Sequence, residues 1–134
     1  GPADLIALDS SALVAIAIDE PDAKLFAEAV SNNRCIIGTP TLVELHMVLR
    51  DRAGDIGVQF VEALLKRRNL ARMDFTEAHF RLATAAFDRY GRGRHPAKLN
   101  FGDCMAYAVA KAHGVPLLYK GDDFARTDIA AALA

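Results

Sequence analysis

Short, uninterrupted apolar runs set among segments of helical period constrain this chain more than any other feature. Leu5-Ile6-Ala7-Leu8, Cys35-Ile36-Ile37 and Leu117-Leu118-Tyr119 show no polar alternation. Each therefore reads as a strand buried on both faces, the condition of a parallel sheet with helices above and below. A weaker strand is expected at Arg72 to Phe75. Helical spacing covers the stretch after Asp9 to Ile18, then Pro21 to Asn32-Asn33, Thr39 to about Arg52, and Val58 to Arg68. Thr76-Glu77 opens a long helix through Tyr90, and Asp103 to His113 forms the last one, stopped by Gly114 and Pro116. A serine after Asp9, Thr39 beside Pro40, and Thr76 are the expected caps. Strands alternating with helices define an α/β architecture.

A chain of 134 residues that is 52% hydrophobic has material for one core, and a single domain over residues 3–134 is expected. Gly1-Pro2 reads as a scar of tag removal, without the basic-then-apolar pattern of a signal peptide. No apolar run approaches the roughly 20 residues of a membrane-spanning helix, so no membrane partner is expected. The two cysteines, Cys35 and Cys104, each sit in an apolar segment with no zinc spacing. They read as small core side chains, in keeping with a reducing cytoplasm.

The formal charge of −1 speaks against a nucleic-acid partner, but its distribution does not. Residues 1–51 hold 3 basic and 8 acidic side chains, residues 52–120 hold 12 and 6, and residues 121–134 hold 1 and 3. A basic middle between acidic ends suits metal ions held beside a phosphate backbone.

Ligands of open parallel sheets bind at the carboxyl ends of strands. Asp9 closes the first strand, and Asp122-Asp123 follow the last after Lys120-Gly121. Taken singly, a helix cap at Asp9 and a turn at Asp122-Asp123 would explain them. Glu44 shares a helix face with Met47 and Val48, where an unpaired carboxylate is costly unless it reaches solvent, a proton or a cation. Asp103 lies three residues after the capping candidate Asn100. Together these acids would form an oxygen-lined pocket suited to magnesium or manganese, which activates water for phosphodiester hydrolysis. The histidines His46, His79, His95 and His113 have no ligand spacing, and Ser10-Ser11 lie in no nucleophile elbow. Arg89 to Lys98 holds basic residues and no acid, and reads as a flexible cationic loop leading to Asp103.

Four segments carry a resemblance: Leu8-Asp9-Ser10-Ser11-Ala12-Leu13-Val14-Ala15-Ile16, Thr41-Leu42-Val43-Glu44, Tyr90 through Cys104, and Leu117 through Phe124. They are similar to the PIN-domain ribonucleases, and closely to the VapC toxins of type II toxin-antitoxin pairs. The resemblance implies a three-layer α/β/α, Rossmann-like fold with a short, mostly parallel sheet of roughly four or five strands. It implies a metal-dependent endoribonuclease in which Asp9, Glu44, Asp103 and Asp122, or Asp123 in its place, hold Mg2+ or Mn2+. It also implies an RNA substrate, a homodimer and a VapB-like antitoxin; the cationic loop adds Arg92, Arg94 and Lys98 as residues expected to help hold the RNA. Where many relatives carry threonine before the fourth acid, this chain has Lys120, which is expected to neutralise part of the site.

Two readings compete. A receiver-type signalling module would use Asp74 and Lys120 but leaves Glu44 and Asp103 without a role, and an inactive PIN-like binding domain would keep every acid. A phosphatase with an Asp-x-Asp motif would need an acid where Ser11 stands.

Overall fold

The computed structural model describes residues 4–133, so Gly1-Pro2 lie outside the described residues. Four strands, β1 (Leu5–Leu8), β2 (Arg34–Gly38), β3 (Leu70–Met73) and β4 (Leu117–Leu118), form one sheet in the order β3-β2-β1-β4. Every pairing is parallel, with Leu8 opposite Leu118. The apolar runs behave as their lack of alternation requires. Ile6, Leu8, Cys35, Ile37 and Leu118 enter a core on one face, whereas Ala7, Ile36 and Leu117 enter a second core on the other. A strand residue in either core is removed from water, at about 1.5–3 kcal/mol for a fully buried Leu or Ile.

Helices α1 (Ser10–Ala17), α2 (Ala23–Asn32) and α3 (Thr39–Leu65) cover the first face through Leu13, Phe26, Leu45 and Leu49. Helices α4 (Glu77–Tyr90) and α5 (Phe101–His113) cover the second through Ala83, Tyr90, Tyr107 and Val109. α3 unites two segments expected as separate helices. They meet at Gly54, whose φ of 57° and ψ of −136° only glycine adopts freely, so the division is a kink rather than a loop. The chain runs from β1 outward through β2 to β3, then crosses back to place β4 on the other side of β1. That reversal is a topological switch point, and in open parallel sheets ligands bind at such a point, beyond the carboxyl ends of the strands, here β1 and β4.

The edges are protected. Ala130 and Ala132 hydrogen-bond Leu117, laying the C-terminal segment along β4, while the exposed Arg72 charges the β3 edge. The expected strand at Arg72 to Phe75 lies slightly earlier, at Leu70–Met73. Among the described residues no helix is long and apolar enough to cross a membrane. Cys35 and Cys104 are buried free thiols, both pushed up to about 11 chiefly by burial, and are inert core members.

Candidate metal centre

Asp9 directly follows β1 at the carboxyl end of the sheet. Its backbone N–H donates to the Leu118 carbonyl, which fixes it directly beyond the β1–β4 pair. It is also the N-cap of α1: Oδ2 accepts the Ser11 N–H at 3.1 Å and the Ser11 hydroxyl at 2.5 Å. The cap is therefore the aspartate and not a serine. Capping engages one oxygen only. Asp9 is 3% exposed, and its Oδ1 is buried without a hydrogen-bond partner. Burial pushes its carboxyl up to about 6 against the lowering effect of the Ser11 bonds, and the charge of Glu44 adds to the rise. A buried acceptor without a donor is costly, and a cation is one of the few groups that would satisfy it.

Glu44 arrives from the second turn of α3. Its Oε1 accepts the Ser10 hydroxyl at 2.6 Å. Its other oxygen approaches α5 so closely that a Cβ on Gly102 would lie 1.8 Å from Oε2. Glycine at 102 is thus what lets the carboxylate lie against the start of α5. Of the two apolar neighbours expected on its face, Val48 is partly buried against the core, whereas Met47 turns outward. Val43 is 58% and Met47 61% exposed, and with Phe101, at 78%, they border an open groove beside Glu44.

Asp103 comes from the first turn of α5 in a reciprocal capping box. Asn100 Oδ1 accepts the Asp103 N–H at 2.9 Å, and Asp103 Oδ2 accepts the Asn100 N–H at 3.1 Å. Its carboxyl is pushed up to about 7, first by burial and then, against the Asn100 bond, by the charges of Asp9, Asp123 and Glu44. Four acids distant in sequence thus share one electrostatic neighbourhood. Asp123, and not Asp122, is the tandem member that bears on Asp103; the charge of Asp122 acts on the Tyr119 hydroxyl instead. Between β4 and the pair, Gly121 turns at a φ of 100°.

Lys120 does not neutralise the acids. Its ammonium pairs with Glu20 and with Asp22, at 3.1 Å from Asp22 Oδ1, tying the end of β4 to the α1–α2 turn. The basic loop is better ordered than expected. Arg92 N–H donates to the Leu99 carbonyl, Leu99 N–H to that of Tyr90, and Ala97 and Leu99 are buried. Arg92, Arg94 and Lys98 remain exposed on this frame and make no ion pair among the described residues; Arg94 lies over the Phe87 ring. Ser10 and Ser11 read from sequence only as a cap or a nucleophile, and Gly102 as loop, because hydroxyl donors and a missing Cβ leave no charge pattern.

The donors are all oxygens, which suits a hard divalent cation. Among the described residues no three His, Cys, Asp or Glu side chains stand close enough to make a finished ligand set. The residues nevertheless fit such an ion, because Asp9 Oδ1 is buried and unpartnered, with the charge of Glu44 acting on Asp9 and that of Asp9 acting in turn on Asp103.

A family model described as PIN domain matches residues 6–130. The chain belongs to the PIN-domain family. This PIN domain is 42% identical over 125 residues to Ribonuclease VapC of Mycolicibacterium smegmatis, covering 92% of this chain and 97% of that protein. It is 41% identical over 124 residues to Ribonuclease VapC36 of Mycobacterium tuberculosis, covering 91% and 89%. In fold it is similar to the Mycobacterium tuberculosis VapC20 structure, described as a sarcin-ricin loop cleaving toxin, with a TM-score of 0.77 at 16% identity over 92% and 95% of the two chains. A DNA-bound VapBC structure from Salmonella typhimurium gives 0.67 at 19% identity over 96% of each chain.

Proposed function

We propose that this PIN domain is the toxin of a type II toxin-antitoxin pair, an endoribonuclease of the VapC kind that hydrolyses RNA phosphodiester bonds with Mg2+ or Mn2+. The ribonuclease names of relatives sharing more than 40% identity support the activity, and the likeness to VapBC structures supports a VapB-like antitoxin. The proposal takes the chain as one domain over residues 3–134, acting on RNA in the cytoplasm.

Asp9, Glu44 and Asp103 hold the ion in this account, with Asp123 rather than Asp122 as the fourth acid. The observation that carries it is the buried, unpartnered Oδ1 of Asp9, coupled by charge to Glu44 and to Asp103. When bound, the ion supplies activation of water and relief of the charge that develops on the phosphodiester. The chain's own part is to fix Asp9 by the α1 cap, to hold Glu44 through Ser10, and to orient Asp103 through Asn100. Arg92, Arg94 and Lys98 hold the RNA backbone beside the acids. Replacing all three by Ala should make the salt dependence of RNA binding shallower by roughly 0.7 per lost phosphate contact. An unchanged slope would remove them from the account.

The exposed side chains Val43, Met47 and Phe101 support the homodimer as well. Light scattering should give a dimer for the wild type, and a monomer at every concentration would contradict it. The activity itself is tested by incubating the purified chain with total RNA and Mg2+, Mn2+ or chelator. Cleavage is expected with either ion and lost in Asp9→Asn; equal cleavage by that variant would refute the assignment.

A further inference from the structure

Two hydroxyls sit against two of the acids, and each engages one oxygen of its carboxylate. Ser11 Oγ receives the Lys120 N–H at 2.9 Å, so its own proton is directed to Asp9 Oδ2, 2.5 Å away. With the Ser11 N–H at 3.1 Å on the same atom, Oδ2 holds two donors while Oδ1, buried, holds none. Ser10 does the same for Glu44: its hydroxyl donates to Oε1 at 2.6 Å and leaves Oε2 on the side of Gly102. Each carboxylate thus has one oxygen tied and one free, set by adjacent residues on the first turn of α1.

We propose that Ser10 and Ser11 make Asp9 and Glu44 single-oxygen ligands and thereby select a small octahedral cation, magnesium or manganese, against calcium. Calcium takes 6–8 oxygens at about 2.3–2.6 Å and readily accepts both oxygens of a carboxylate, whereas magnesium demands near-ideal sixfold geometry at about 2.0–2.1 Å. A carboxylate that must break a charge-assisted hydrogen bond to offer its second oxygen is a poor partner for the larger ion. Lys120 contributes through its backbone. The ion pairs of its ammonium with Glu20 and Asp22 steady the segment whose N–H orients the Ser11 hydroxyl. Ser10 and Ser11 are positioning residues, acting on the ion only through the acids. The inference rests on the metal-site reading given above.

The test is calorimetric titration of MgCl2 and of CaCl2 into the wild type and into Ser10→Ala, Ser11→Ala and Ser10→Thr/Ser11→Thr, each checked for folding by circular dichroism. The alanine variants should lose about tenfold of the magnesium-over-calcium preference, largely through tighter calcium binding, and the threonine variant, which keeps both hydroxyls, should restore it. Should Ser11→Ala fail to fold, Ser10→Ala alone decides. Alanine variants that bind magnesium with the wild-type ratio would overturn the serine role while leaving the metal site intact. A wild type that binds neither ion would overturn both.

Discussion

Helices α4 and α5 begin with the same device and lead to different chemistry. In α4, Thr76 caps and the third residue, His79, returns the bond: its Nδ1 accepts the Thr76 N–H at 2.9 Å. In α5, Asn100 caps and Asp103 returns the bond in the same way. His79 is buried against Phe75 and His113, and burial lowers its tendency to take a proton. Asp103 is held protonated first by burial and then by the charges of Asp9, Asp123 and Glu44, which His79 lacks around it. Local capping geometry is therefore silent about function. What separates the two boxes is the charge that the fold gathers around the third residue.

The largest effect expected from breaking this contrast is on catalysis. Asp103→Asn keeps an oxygen to accept the Asn100 N–H, so the helix start survives while a charged ligand is lost. RNA cleavage should fall by at least roughly a hundredfold, since outer-shell partners of metal ligands alone are commonly worth 10–100-fold. A fall below fivefold with the fold intact would place Asp103 with His79 as a purely structural cap. Gly102→Ala should act next. The new Cβ meets only the end of the flexible Glu44 side chain, so the carboxylate moves and the fold persists. Activity should drop roughly tenfold with little change in Tm; a large loss of Tm would show that the glycine serves packing.

Protons should sharpen the contrast. The folded-state values of Asp9 and Asp103, about 6 and about 7, lie above those of an unfolded chain. The neutral forms are therefore favoured on folding, and their stabilisation is full below about pH 4 and is lost as pH rises through about 6 to 7. Metal binding needs the charged forms, so magnesium affinity should rise over that same interval and level off above about pH 8. Affinity independent of pH between 5.5 and 8 would contradict the assignment. The smallest effect belongs to the other box. His79→Ala should cost about 1–2 kcal/mol in denaturant unfolding and leave the activity of the folded fraction unchanged. Lost activity in a folded His79→Ala would end the division between the two.

The sheet was legible in the sequence because β1, β2 and β4 are buried on both faces and must be continuously apolar. β3, an edge strand with Ala71 and Arg72 exposed, has no such obligation and was correspondingly faint. Asp9, Glu44 and Asp103 stood out as acids at strand ends and on helices, but their common neighbourhood depends on α5 packing against β1, β2 and α3, which no local pattern encodes. Counting along the strand favours Asp122, but Gly121, with its φ of 100°, breaks the extended count, so the sequence leaves the tandem pair open. Lys120 misled because a long side chain reaches partners set by tertiary structure, here Glu20 and Asp22. The basic loop read as flexible from its charges, while the two apolar side chains that anchor it, Ala97 and Leu99, are buried only through tertiary packing.

A manganese-soaked crystal is the most direct test of convergence on one cation. Anomalous scattering should locate the ion at Asp9 Oδ1, about 2.1–2.2 Å away, with oxygens of Glu44 and Asp103 in the same coordination shell. An ion held elsewhere, with Asp9 Oδ1 left bare, would contradict the account.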